Sequence, residues 1–172
     1  MRVVATAFGG VATLSGVRAI AQQPTPQPMM NQVPGTARNA SRTSVHQEVD
    51  FHASPQRVFD ALINSREFTG FTGMMAAIDR SAGGAFSLFD GQIVGRNVEL
   101  IPNSEIVQAW RATTWAPGVY SIVRFDLTPV TTGTHVVLTQ TAFPDGEFDH
   151  LDAGWPVRYW KPLAEYLGEN NT

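Results

Sequence analysis

The chain has 172 residues, a length that suits one domain with a tail, and its 12 Lys and Arg against 15 Asp and Glu leave a formal net charge of −3, which excludes a basic nucleic-acid binder. It contains no cysteine, so disulfides, CxxC redox motifs and cysteine zinc sites are excluded, and none of its four histidines forms an HExxH pair. Hydrophobic residues at 43% against 16% charged describe a chain with a core rather than a disordered one.

Residues 1–21 read as an export signal. Arg2 opens the chain, Val3 to Val17 carries no charge, and Ala19-Ile20-Ala21 gives a small-x-small cleavage pattern. The apolar stretch is too short and too rich in Gly, Thr and Ala to span a bilayer, so no stable membrane insertion is expected. A periplasmic or secreted location follows, or a cytoplasmic one if the segment is an ordinary N-terminal helix. Residues 22–43 hold Pro24, Pro26, Pro28, Pro34 and Gly35 and read as a flexible tether. The globular domain is expected over 44–168, with 169–172 as a tail.

Val45, Gln47, Val49 and Phe51 alternate with His46, Glu48, Asp50 and His52, which predicts a strand. Ser54-Pro55 is a helix start: a hydroxyl to cap free N–H groups, then a proline where the missing donor costs nothing. Val58, Phe59, Leu62 and Ile63 give that helix one apolar face. Asn64 to Gly73 breaks it, with a second short helical turn around Glu67, Phe68 and Phe71. Strands follow over 85–89, 92–101, 106–115, 120–127 and 135–142, separated by Asp90-Gly91, Pro102-Asn103, Pro117-Gly118 and Thr132-Gly133. Connections this short predict antiparallel pairing. Residues 147–167 read as helical, with Leu151, Trp155, Tyr159, Leu163 and Leu167 on one side and Pro156 and Pro162 expected to kink or split the helix. One face of the sheet needs a cover, and this last helix is long enough to supply it, leaving a cleft for a small molecule.

Strand parity places Ile106, Gln108 and Trp110 on one face, and likewise Val123, Phe125 and Leu127, and Val136, Leu138 and Gln140. Two amides therefore fall on apolar faces, where each needs a partner, either neighbouring backbone or a ligand. The candidate ligand-binding residues are Phe86, Leu88, Gln108, Trp110, Phe125, Gln140, Trp155 and Tyr159, with plain core the favoured role for the aromatics and cleft lining the other. Trp115 and Trp160 are further aromatic candidates for the cleft. Arg111 and Arg124 have the opposite parity and belong to the solvent face, with Glu99 or Asp126 as partners. Glu147, Asp149, His150 and Asp152 suit the positive end of the last helix. No nucleophile elbow, P-loop or dinucleotide fingerprint is present, so no catalytic residue, metal or cofactor is expected.

Four ordered segments carry a resemblance: Gly83 to Gly95 (GGAFSLFDGQIVG), Ile106 to Arg111 (IVQAWR), Trp115 to Ser121 (WAPGVYS), and Gly154-Trp155 with Tyr159-Trp160. Together they resemble the activator of heat-shock protein 90 ATPase homologue family, part of the START-like (SRPBCC) superfamily, over Val45 to Gly168. The resemblance implies an α+β helix-grip fold, a curved antiparallel sheet wrapped around a long C-terminal helix, in the order β-α-α-β-β-β-β-β-β-α. The eukaryotic co-chaperone of that family has a separate N-terminal domain that engages a cytosolic chaperone. Here an export signal and tether precede the domain, so a chaperone partner is not expected. The leading reading is binding of a small hydrophobic or amphipathic molecule without conversion. A cyclase- or hydrolase-type enzyme using the same cleft is the alternative, and a chaperone-associated interaction module the second alternative.

Overall fold

A computed structural model describes residues 42–168. The export segment, nearly all of the tether and the tail lie outside the described residues.

Strand β1 (Ser44–Phe51) buries Val45 and Phe51, half-buries Gln47 and Val49, and turns His46, Glu48 and Asp50 to water, as the alternation predicts. Helix α1 (Pro55–Ile63) starts at Ser54, whose Oγ accepts from the Arg57 N–H at 3.3 Å, and buries Val58, Phe59, Leu62 and Ile63. Asn64 ends α1 and caps α2 (Ser65–Thr72), its side-chain oxygen accepting from the N–H groups of Arg66 and Glu67. Two full turns of helix form here rather than one, and the Arg57–Glu67 ion pair ties the two helices together.

The remaining strands are β2 (Ala77–Ile78), β3 (Ala85–Leu88), β4 (Ile93–Ile101), β5 (Glu105–Ala112), β6 (Ser121–Val130) and β7 (Gly133–Thr141). All pairs are antiparallel, in the spatial order β1-β7-β6-β5-β4-β3-β2. Several strand ends differ from the sequence-based expectation: β6 runs on to Val130 and β7 starts at Gly133, and two further differences shape the site. Phe89 leaves β3 for the turn into β4, where it and Asp90 take left-handed backbone with φ of 54° and 55°. Strand β5 ends at Ala112, not Trp115: the Trp115 N–H bonds to the Ala112 carbonyl at 2.9 Å, and the turn lays the Trp115 ring edge-on against Trp110, centroids 5.6 Å apart. Within β4, a Cβ at Gly95 would lie 2.3 Å from the Phe86 ring and 2.1 Å from the Ala109 carbonyl oxygen. The glycine lets the Phe86 ring lie directly on its neighbouring strand.

The C-terminal segment stays helical past both prolines, but a π-helical turn opening at Pro156 divides it where the sequence predicts a kink or split. It runs as α3 (Phe148–Trp155), a wide π-helical turn over Pro156–Trp160, and α4 (Lys161–Leu167). Pro156 has no N–H to offer the Asp152 carbonyl four residues earlier. Gln47 of β1 supplies the donor instead: its Nε2 bonds to the Asp152 carbonyl at 2.7 Å and to Asp152 Oδ1 at 2.8 Å. Gln47 Oε1 in turn accepts from Trp160 Nε1 at 2.7 Å. The wider turn closes with the Lys161 N–H on the Pro156 carbonyl. A tertiary contact thus replaces the hydrogen bond that proline removes, and the helix continues.

Sheet and helix enclose an aromatic core. Trp155 stacks on Trp160 with centroids 5.7 Å apart and tilts against Tyr159 at 4.3 Å, while Phe125 presents its edge to both tryptophans. Phe68 of α2 meets Tyr159 at 5.7 Å, which fixes the short helices to the same core. Each large side chain buried here contributes roughly 1.5–3 kcal/mol.

Candidate functional site

The core stays open at one end. Where β5 gives out at Ala112 the C-terminal helix passes by without filling the space, leaving a cavity of about 180 Å³. Glu147, Leu151, Gly154 and Arg158 line it from the helix, at spacings of three and four that put them on one face. Trp110 and Ala112 of β5, the loop residues Thr113, Thr114 and Trp115, Phe89 of the β3–β4 turn, and Gln92 and Ile93 form the facing wall, with Trp155 and Tyr159 at the helix side. Arg158 Nη1 donates to Gln92 Oε1 at 3.2 Å, a tie between helix and sheet, and the guanidinium stands 5.9 Å from the Phe89 ring. A Cβ added at Gly154 would meet nothing within 4 Å. The missing side chain at that position keeps this part of the cavity open.

Of the eight candidate ligand-binding residues, the structure brings Trp110, Trp155 and Tyr159 to the cavity. Phe86, Leu88, Gln108, Phe125 and Gln140 are buried in the core and do not line it. Trp115 also lines the cavity, whereas Trp160 is buried beside it. The two amides are satisfied by side chains rather than by neighbouring backbone. Gln140 Oε1 accepts from Trp155 Nε1 at 2.9 Å, and its Nε2 donates to Ser121 Oγ at 2.9 Å, which donates onward to the Trp110 carbonyl at 3.1 Å. Gln108 Nε2 donates to Asn97 Oδ1 at 3.0 Å, and Asn97 Nδ2 to the Asp79 carbonyl at 2.7 Å. The Gln140 chain lies directly behind the cavity wall and holds Trp155 and the backbone under Trp110 in place.

Behind that wall lies a sealed indole N–H, beside the Tyr159 hydroxyl. Trp110 is 6% exposed, and its Nε1 is the one fully buried side-chain polar atom among the described residues without a hydrogen-bond partner. Burial pushes the Tyr159 hydroxyl well above its ordinary range. Hydrogen bonding from the Trp110 N–H, and then the charge of the Arg158 guanidinium, pull the other way without offsetting it. The indole N–H therefore has the phenol oxygen as its neighbour, short of a well-formed hydrogen bond, and Tyr159 stays a neutral O–H.

The acidic run at the helix start has several roles. Glu147 and His150 line the cavity, Asp149 pairs with Arg42 at 3.5 Å in solvent, and Asp152 takes the bond from Gln47. Arg124 pairs with Asp126 at 2.7 Å and Glu105 at 2.6 Å on the outer sheet face, and its guanidinium is raised chiefly by the bond to Asp126. Arg111 donates to the Trp115 carbonyl at 3.2 Å and so braces the cavity loop. Sequence reasoning missed Phe89, Gln92, Gly154 and Arg158. The periodicity of residues 147, 151, 154 and 158 could have found the helix side, but nothing local marks the strand ends.

A seven-stranded antiparallel sheet curved around a C-terminal helix, with two short helices inserted after the first strand, is the helix-grip fold of START-like proteins. Residues 52–168 match the family described as activator of Hsp90 ATPase homolog 1-like protein, and the chain belongs to that family. It is 36% identical over 110 residues to an activator of 90 kDa heat shock protein ATPase homolog from Dictyostelium discoideum, covering 62% of this chain and 28% of that protein. It is 23% identical over 118 residues to the mouse homolog 1, covering 69% and 35% respectively. The chain thus spans about a third of the length of these relatives. Among solved structures, an HSP90 activator from Plasmodium falciparum superposes with a TM-score of 0.70 at 26% identity, covering 73% of this chain and 96% of that one. The Aha1 dimer from Colwellia psychrerythraea shares the fold, with a TM-score of 0.64 at 18% identity over 75% of this chain and 98% of that one. No helix among the described residues is long and apolar enough to cross a membrane.

Proposed function

We propose that the domain binds a small hydrophobic or amphipathic molecule in the cavity between the end of β5 and the C-terminal helix, and does not convert it. The observation that carries this reading is the aromatic chamber of about 180 Å³, walled by Trp110, Trp115, Trp155 and Tyr159. A concave site walled by aromatic side chains, with polar groups at its rim to orient an occupant, is a usual form of small-molecule site. Aromatic compounds of benzene to acetophenone size should raise Tm and shift the indole resonances of Trp110, Trp115 and Trp155 in ¹H–¹⁵N spectra. No change in Tm, or shifts confined to Trp160, would contradict it.

A second reading is favoured by the family. The curated relatives are named as activators of a 90 kDa heat-shock ATPase, so the expectation that no chaperone partner exists finds no support, and an interaction with such a chaperone is a proposal of equal standing. Adding the purified chain to a 90 kDa heat-shock ATPase and following turnover tests it: stimulation supports the reading, and unchanged turnover with no co-purification removes it. Export is a separate proposal resting on the pattern of residues 1–21, and intact mass of the protein from its own host decides it by the presence or loss of those residues.

A further inference from the structure

The charged and titratable side chains that line the cavity are Glu147, His150 and Arg158. Arg158 is engaged at one end, where it donates to Gln92 Oε1 and stands beside the Phe89 ring. His150 is exposed to solvent. Glu147 is half-buried at the start of α3, yet its side chain makes no capping bond to the first helical turn. No cation among the described residues pairs with it: Arg42 takes Asp149 instead, and Arg111 turns to the Trp115 carbonyl and the Tyr120 ring. The helix from 147 to 158 spans roughly 16 Å and separates Arg158 from it. The helix dipole at this end amounts to about half a positive charge, less than the carboxylate carries. This end of the cavity therefore favours a cation.

The walls suit the same charge. Trp110 and Trp115 meet at 64° with centroids 5.6 Å apart, Trp155 tilts 37° from Trp110, and Tyr159 tilts 45° from Trp155. The four rings therefore wall the space from different directions. Aromatic rings attract a cation through their quadrupole, more strongly where water is excluded. The polar atoms of these rings are taken up elsewhere: Trp155 Nε1 bonds to Gln140, and Trp110 Nε1 is sealed beside the Tyr159 hydroxyl. A primary ammonium would bury N–H groups there without enough acceptors, at a cost that a fully alkylated ammonium does not incur. An engineered apolar cavity of roughly 150 Å³ holds benzene, so about 180 Å³ holds a trimethylammonium head and no acyl chain.

We propose that the cavity selects a fully alkylated ammonium head group, which packs among the rings of Trp110, Trp115, Trp155 and Tyr159 and takes Glu147 as its counter-ion. This assignment rests on the ligand-binding reading above and specifies its chemistry. Such a head group occurs on free small molecules and on lipids, and the cavity admits the head in either case.

Choline and its neutral carbon analogue dimethylbutanol make the comparison, being close in shape and differing in charge. Both are titrated into the full chain by ¹H–¹⁵N spectroscopy, with ethanolamine as the unalkylated counterpart, benzoate as the anion and acetophenone as a neutral ring. Choline should bind at least about fivefold tighter than dimethylbutanol, the ratio a desolvated cation–π contact gives. It should exceed ethanolamine by a similar factor and shift the Trp115 and Trp155 indole resonances. Glu147→Gln keeps the size and removes the charge, and should cut the choline preference at least about threefold, the worth of a partly exposed ion pair. Equal binding of choline and dimethylbutanol in the natural protein, or preference for benzoate, overturns the cation assignment and leaves the ligand-binding reading standing. So does binding of acetophenone alone. Equal binding of ethanolamine overturns the alkylated assignment, and an undiminished preference in Glu147→Gln overturns the counter-ion role. Failure of every probe to bind overturns both readings. Phosphatidylcholine vesicles that compete with choline for the chain place the head group on a lipid, and choline binding without such competition places it on a free molecule; either result supports the assignment.

Discussion

Gly154 gives the sharpest perturbation of the cavity, because stability and binding should move in opposite directions. It sits within α3 and lines the cavity, and an added Cβ meets nothing within 4 Å. Alanine is favoured over glycine in a helix interior by about 0.8–1 kcal/mol. With no contact to oppose that gain, Gly154→Ala should stabilise the domain by roughly that amount, or about 3–5 °C in Tm for a domain of this size. Gly154→Leu extends the side chain into the open space. Each methylene it buries offsets about 0.8 kcal/mol, so Tm should stay within a few degrees of the natural protein. The same side chain takes the room of the ligand, and acetophenone affinity should fall at least about tenfold, a loss of about 1.4 kcal/mol. Differential scanning calorimetry and probe titration on the two variants read both quantities. A lower Tm for Gly154→Ala, or unchanged affinity for Gly154→Leu in a folded protein, would refute the placement of Gly154 at an open cavity.

Gln140→Leu removes the amide that joins Trp155 Nε1 to Ser121 Oγ, leaving buried polar groups unpaired, and should cost about 1–3 kcal/mol by urea denaturation; a loss under about 0.5 kcal/mol would show that the bonds are not formed in solution. Gln47→Leu strips the Asp152 carbonyl of its substitute donor, so amide hydrogen exchange should quicken across α3 and the following turn, and unchanged protection there would contradict the role given to Gln47. Tyr159, ordinarily titrating at 10.0, is raised by burial in the folded state, so its contribution is fully present below pH 10 and is lost as pH rises further, because the unfolded chain releases the proton first. Stability should fall by up to about 1.4 kcal/mol per pH unit above that point, and Tyr159→Phe should remove this slope; identical slopes in both proteins would mean the hydroxyl is not buried.

Much of the fold was readable because local signals and burial agree. The alternation from Val45 to Phe51 and the Ser54-Pro55 start are decided by neighbours in sequence, and parity along β5, β6 and β7 sends Trp110, Phe125 and Gln140 inward as expected. The misplaced features depend on packing that the local pattern does not record. Trp115 has strand propensity, yet its N–H turns back to Ala112, and its ring gains more against Trp110 than in an extended strand. Pro156 signals a break, and only Gln47, more than a hundred residues earlier in the chain, removes the reason for one. Parity distinguishes inside from outside but not the part of the inner face that the helix covers. Phe86, Leu88 and Phe125 therefore could not be separated from Trp110 in advance. The cavity exists where three segments fail to meet, which no single segment records.

Native mass spectrometry of the protein purified from its own host tests the central claim most directly. The domain should carry a noncovalent small molecule that is released on denaturation, and the Gly154→Leu form prepared in the same way should lack it. A bare mass for both forms, together with no aromatic probe bound at Trp110, would contradict the assignment of the cavity as a ligand site.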